Sequence, residues 1–200
     1  MRRSILLGVL FGLLASCSDK EIVGLHLALA ADGSGTLTTR TLLEPAQAGP
    51  AEAQTKGVVF ESRAGLLLSQ GKFTNVSELQ FGELRCSGDV RNAERPNLRM
   101  RIPRAAEAAW VKALAPGLEL RRKLAKVLDP TGKKTEIAAN VQFELHLPGN
   151  VVASGVLPAA RGVEASHERD RAYLIVPLDT ATEKGEELVW DVSWMVPTSR

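Results

Sequence analysis

Ile137, Ala139, Val141, Phe143, Leu145 and Leu147 place an apolar side chain at every second position, with Gln142, Glu144 and His146 among the intervening ones. A strand sends alternate side chains to opposite faces, so this segment needs a packed layer over one face and accepts water on the other. The same period recurs elsewhere. Leu25, Leu27 and Leu29 flank His26; Leu98, Met100 and Ile102 flank Arg99 and Arg101; Leu174, Val176 and Leu178 form another row. A final row holds Trp190, Val192, Trp194 and Val196. Short apolar runs at 58–60 and 66–68 add further strands. Asp32-Gly33-Ser34-Gly35 between strands at 21–31 and 36–44 is a hairpin turn, because glycine accepts positive φ and Asp bonds the backbone that follows it.

Between these strands the period changes. Ala105 to Ala115 is rich in helix formers, with Trp110 and Leu114 on one face, and Pro116-Gly117 ends the helix. Leu120, Leu124, Val127 and Leu128 repeat at helical spacing with Arg121, Arg122, Lys123 and Lys126 turned away. The expected fold is α+β: a curved, mainly antiparallel sheet with two helices packed on one face. Residues 45–56, rich in Ala, Gln, Gly and Pro, read as a loop within one domain rather than a boundary between two.

Residues 1–16 have a different logic. Met1-Arg2-Arg3 supplies positive charge, 5–14 is almost wholly apolar, and small residues lead into Cys17. This is a secretory signal layout, and Leu14-Ala15-Ser16-Cys17 resembles the lipobox of bacterial lipoproteins. The resemblance implies cleavage before Cys17 and acylation of its sulfur, leaving 17–200 as a single envelope domain. No later apolar stretch approaches the roughly 20 residues that a membrane helix needs, so lipid is the expected anchor. The expected location is the cell membrane or outer membrane, with the domain exported. With Cys17 acylated, Cys86 has no partner within the chain and is expected to be a buried thiol.

Charge narrows the partners. Without residues 1–16 the chain has 23 Lys+Arg and 23 Asp+Glu and is neutral, which argues against a nucleic-acid partner. Residues 91–134 nevertheless carry +8, against −5 for 135–200. That segment is either a solvated surface or one that faces anionic headgroups.

Enzymatic constellations are nearly absent. His26, His146 and His167 share no ligand spacing, no serine sits in a nucleophile elbow, and Gly33 and Gly35 lack the helix a phosphate loop requires. No metal, cofactor or catalytic residue is expected. The apolar rows suggest a broad sheet face. Helices standing off from it would leave an elongated cavity suited to acyl chains, whereas close packing would make the same residues core.

The Asp32-Gly33-Ser34-Gly35 hairpin behind a lipidated cysteine resembles the start of the mycobacterial LppM-type lipoproteins. Phe143-Glu144-Leu145-His146-Leu147-Pro148-Gly149-Asn150-Val151 and Trp190-Asp191-Val192-Ser193-Trp194 are similar to that family's Leu-Pro-Gly turn and closing strand. The resemblance implies an α/β envelope domain similar to lipid-binding folds, with membrane lipids or lipoglycans as ligands. The expected function is non-catalytic binding of a lipid or lipoglycan by a lipid-anchored envelope protein. Trp110, Phe143, Trp190 and Trp194 are candidate contacts, and Arg99 and Arg101 candidates for a phosphate-bearing headgroup. The alternative is a structural or assembly lipoprotein that binds an envelope protein partner through a sheet edge or the 91–134 segment.

Overall fold

The computed structural model describes residues 23–42, 59–63, 66–92, 94–128, 131, 133 and 136–196. The expected loop at 45–56 and the signal and lipid site at 1–17 lie outside the described residues. In chain order the strands are β1 (Val23–Leu29), β2 (Gly35–Leu42), β3 (Val59–Arg63), β4 (Leu66–Phe73), β5 (Gln80–Phe81) and β6 (Leu84–Ser87). They continue with β7 (Asn97–Arg104), β8 (Asn140–His146), β9 (Asn150–Leu157), β10 (Glu164–Glu168), β11 (Arg171–Pro177) and β12 (Gly185–Met195). The described helices are α1 (Ala109–Leu114), α2 (Leu118–Leu128) and α3 (Leu178–Thr182).

These strands form two sheets, not the single curved sheet that the sequence suggests. One sheet runs β10-β11-β8-β1-β2-β4-β3 and the other β5-β6-β7-β12-β9. Among the described pairs only β1 with β8 is parallel, and a parallel pair needs the long crossover that residues between them provide. The edge strands β9 and β10 run beside each other, so the sheets meet along one corner. The architecture is mixed α/β and dominated by strands.

Alternation correctly predicts which side chains are inside. Val141, Phe143 and Leu145 of β8 are buried, and so are Leu25 and Leu27 of β1, Leu174 and Val176 of β11, and Leu98, Met100 and Ile102 of β7. Leu188, Trp190, Val192 and Trp194 of β12 join them in one apolar cluster drawn from both sheets. Register places Phe143 between Leu25 and Leu174. The hairpin turn also forms as expected: the Ser34 N–H and hydroxyl both donate to Asp32 Oδ1, at 3.0 and 2.6 Å, and Gly33 takes φ +83°.

Several local expectations need correction. The row from Ile137 breaks because Ala138 adopts φ +55° and Ala139 is exposed, so the strand begins at Asn140. Leu178 opens the short α3 instead of extending the strand, and Val196 falls beyond the end of β12 and is exposed rather than continuing its buried row. His167 lies on β10.

The expected packing of both helices on one sheet face is not shown; α1 reaches the larger sheet through the Thr41 hydroxyl on the Leu114 carbonyl. Pro116 has no backbone N–H and interrupts the helical course, leaving α1 and α2 as separate pieces. Trp110 of α1 enters the core and meets Phe143 edge-on, with ring centroids 5.5 Å apart, a favoured aromatic geometry. Its Nε1 donates to the Pro103 carbonyl at 2.7 Å. α2 buries Leu124 and Ala125 and keeps Arg122, Lys123 and Lys126 exposed. No helix among the described residues is long and apolar enough to cross a membrane.

Cys86 is buried and unpaired on β6, and desolvation pushes its thiol pKa up to about 12. Because thiolate is the reactive form, Cys86 is expected to resist thiol reagents in the native protein and to react fully once it is unfolded. Rapid modification at neutral pH without denaturant would contradict this packing.

Candidate functional site

A pocket of about 320 Å³ opens where α1, the break after it, α2 and α3 meet. Val111, Ala115, Pro116 and Leu178 supply its apolar wall, and Lys112, Arg121, Asp179 and Thr182 its polar groups. Arg121 is held back against the body of the domain, with its side chain 12% exposed. Its contacts there are long: Nη1 lies 3.5 Å from the Ala138 carbonyl and Nη2 3.7 Å from Glu136. Its Nε is buried without a hydrogen-bond partner. The long Nη contacts leave donors for an anionic oxygen, with the Asp179 carboxylate as the acidic group of the same wall.

The backbone places this pocket at one end of the larger sheet. Thr41, the residue after Arg40 in β2, donates its hydroxyl to the Leu114 carbonyl at 2.8 Å. Arg40 in turn pairs with Gly24, so Leu114 stands over the start of β1. The Leu178 N–H donates to the Ala139 carbonyl at 2.9 Å, just before β8 pairs with Val23.

A second cluster lies on the outward face of the same sheet. Register brings His26 beside Glu144, Glu144 beside Tyr173, and His146 beside Arg171. Arg171 donates to Glu144 at 2.8 Å, and His146 Nε2 lies 3.0 Å from Asp170 Oδ2. Burial works to raise the Asp170 pKa, but its backbone hydrogen bond, His146 and Arg171 outweigh it and leave it below the ordinary carboxylate value. His146 and Asp170 are 42% and 45% exposed, whereas acid–base catalysis draws on groups shifted in dry clefts. Among the described residues no cluster of His, Cys, Asp or Glu is placed to hold a metal.

His26 stands on the face opposite Leu25 and Leu27, yet it is half-buried there and its Nε2 has no hydrogen-bond partner. Desolvation lowers its pKa, opposed in part by Glu144 and reinforced by His146, Arg171 and Arg40. The folded state therefore binds a proton less readily than the unfolded chain. This contribution to stability is present above the ordinary histidine range and is lost as pH falls below about 6.5. His26→Gln is expected to flatten the stability profile between neutral pH and the lowered pKa, as measured by urea unfolding at a series of pH values. An unchanged slope would show that His26 is not its source.

The residues singled out in the sequence do not form one site. Trp110, Phe143, Trp190 and Trp194 are all fully buried in the core. Trp190 Nε1 bonds the Ser154 hydroxyl at 3.0 Å, while Trp194 Nε1 is buried without a partner. Arg99 and Arg101 alternate with Met100 and face outward, away from those aromatics. Arg99 forms a two-pronged pair with Asp191 at 2.7 and 2.9 Å, and Arg101 pairs with Glu187 at 2.8 Å. Cys17 lies outside the described residues. The pocket residues Val111, Lys112, Arg121 and Leu178 carried no sequence signal as a group, although the basic 91–134 segment contains three of them.

The described residues thus define a mixed α/β domain of two sheets with one shared core and a helix-lined pocket at one end. A solved NMR structure, the folded domain of the Mycobacterium tuberculosis LppM protein, is similar with a TM-score of 0.45 and 12% sequence identity, over 88% of this chain and 91% of that one. A likeness at that level extends to no residue and no ligand. No family model and no curated protein matches the chain.

Proposed function

We propose that this is a lipid-anchored, non-catalytic protein of the cell envelope that binds a lipid or lipoglycan. The anchor is acyl chains on Cys17, as the signal pattern of residues 1–17 suggests. The observation that carries the binding reading is the pocket between α1, α2 and α3, which sets Lys112 and the under-satisfied Arg121 beside the apolar Val111, Ala115, Pro116 and Leu178. A volume near 320 Å³ is at the low end for small-ligand sites. It suits an anionic headgroup whose chains remain in the bilayer, and the buried aromatics are core rather than a ligand wall.

Native mass spectrometry of the mature protein taken from its own membrane tests this. The expected spectrum shows a dissociable lipid or lipoglycan on top of the covalent acyl mass, and Arg121→Gln removes the former without touching the latter. Recovery of the unaltered protein free of any dissociable ligand would overturn the binding reading.

A further inference from the structure

We infer that the outward face of α2, together with Lys112 of α1, docks on an anionic bilayer surface, the same membrane that carries the anchor. The inference rests on the lipid-anchor reading of Cys17 and adds an orientation and a contact surface to it. Three observations meet here. First, Ala109–Leu128 holds five basic side chains (Lys112, Arg121, Arg122, Lys123 and Lys126) against one acidic, Glu119. Arg122, Lys123 and Lys126 are exposed on α2, as is Lys112 on α1.

Second, Leu118 at the first turn of α2 is 42% exposed, one of few large apolar side chains left in water among the described residues. A basic face that adjoins an exposed apolar residue combines charge attraction to anionic headgroups with a side chain able to enter the interface. Third, the face is at the correct end of the domain. Leu114 and the pocket stand over the start of β1, and six peptide steps from Cys17 to Val23 reach at most about 20 Å. The anchor therefore holds this end near the headgroups at high effective concentration. Residues 135–200, at −5, disfavour the alternative of turning the acidic surface to the membrane.

Each basic residue close to an anionic surface strengthens the contact about fivefold, the equivalent of about 1 kcal/mol. Reversing three of them in Lys112→Glu/Arg122→Glu/Lys126→Glu is expected to lower the docked-to-undocked ratio at least about a hundredfold. The test uses the full lipidated chain with Leu118→Cys carrying an environment-sensitive dye; Cys86 is buried and does not compete. A control dye at Glu94→Cys lies three residues along the chain from Arg91, whose Nε donates to the Asp32 carbonyl at 2.9 Å at the opposite end of β1. Protein is reconstituted in phosphatidylcholine vesicles with or without phosphatidylglycerol, and flotation is scored alongside emission.

The expected result is a blue shift at position 118 only with phosphatidylglycerol, abolished by high salt and by the triple reversal, with the control silent. Flotation with the same emission at 118 in both vesicle types overturns the docking inference alone, whether or not an added acidic protein shifts the dye. Failure to float overturns the anchor reading and the inference with it.

Discussion

Phe143→Ala is expected to cost about 3–5 kcal/mol, the range for truncating a buried Phe, and to leave a folded protein only if the rest of the core carries the loss. Phe143 is fully buried, flanked by Leu25 and Leu174 on neighbouring strands and met edge-on by Trp110. Truncation removes buried apolar area, the aromatic contact and the filling of the space between β8 and α1. Domains of this size commonly have about 5–15 kcal/mol in total, so the loss should appear as a much lower urea midpoint at unchanged slope. The experiment also separates two roles for this side chain. A residue lining an open cavity would lose less on truncation, because no new void is created around it, and a cost well below that range would return the aromatics to the list of ligand contacts.

Cys17→Ser is expected to abolish incorporation of labelled fatty acid, whereas the wild-type chain takes up label and begins at residue 17. The physical stake is large. Each buried methylene contributes about 0.8 kcal/mol, so one acyl chain binds a bilayer only marginally while two or three hold it essentially permanently. With no membrane-crossing helix among the described residues, those chains are the attachment that the reading depends on. Equal label in both proteins, or none in either, would remove the anchor and the membrane-facing orientation of α2 together.

The charge rows illustrate what alternation reveals and what it leaves out. Arg99 and Arg101 were legible as a wet-face pair, and both are exposed. Their partners were not legible, because Asp191 and Glu187 come from the far end of the chain and reach them only through the β7–β12 register. Exposed pairs of this kind are screened by water and salt, so they mark which surface faces water more than they stabilise it. His146 and Asp170 are a similar case, joined by the β8–β11 pairing and the turn before β11.

The amino-acid pattern alone decided the apolar rows of β1, β7, β8, β11 and β12, where the Asp32 hairpin turns, and that positive charge collects in 91–134. These follow from backbone geometry and local chemistry, which a short window contains. Tertiary structure decided that the strands divide between two sheets, that β1 pairs in parallel with β8, and that Pro116 and α3 bring Val111, Arg121 and Leu178 around one pocket. A period of two specifies the face that must be covered but not the neighbour that covers it. That choice belongs to the packing of the whole chain.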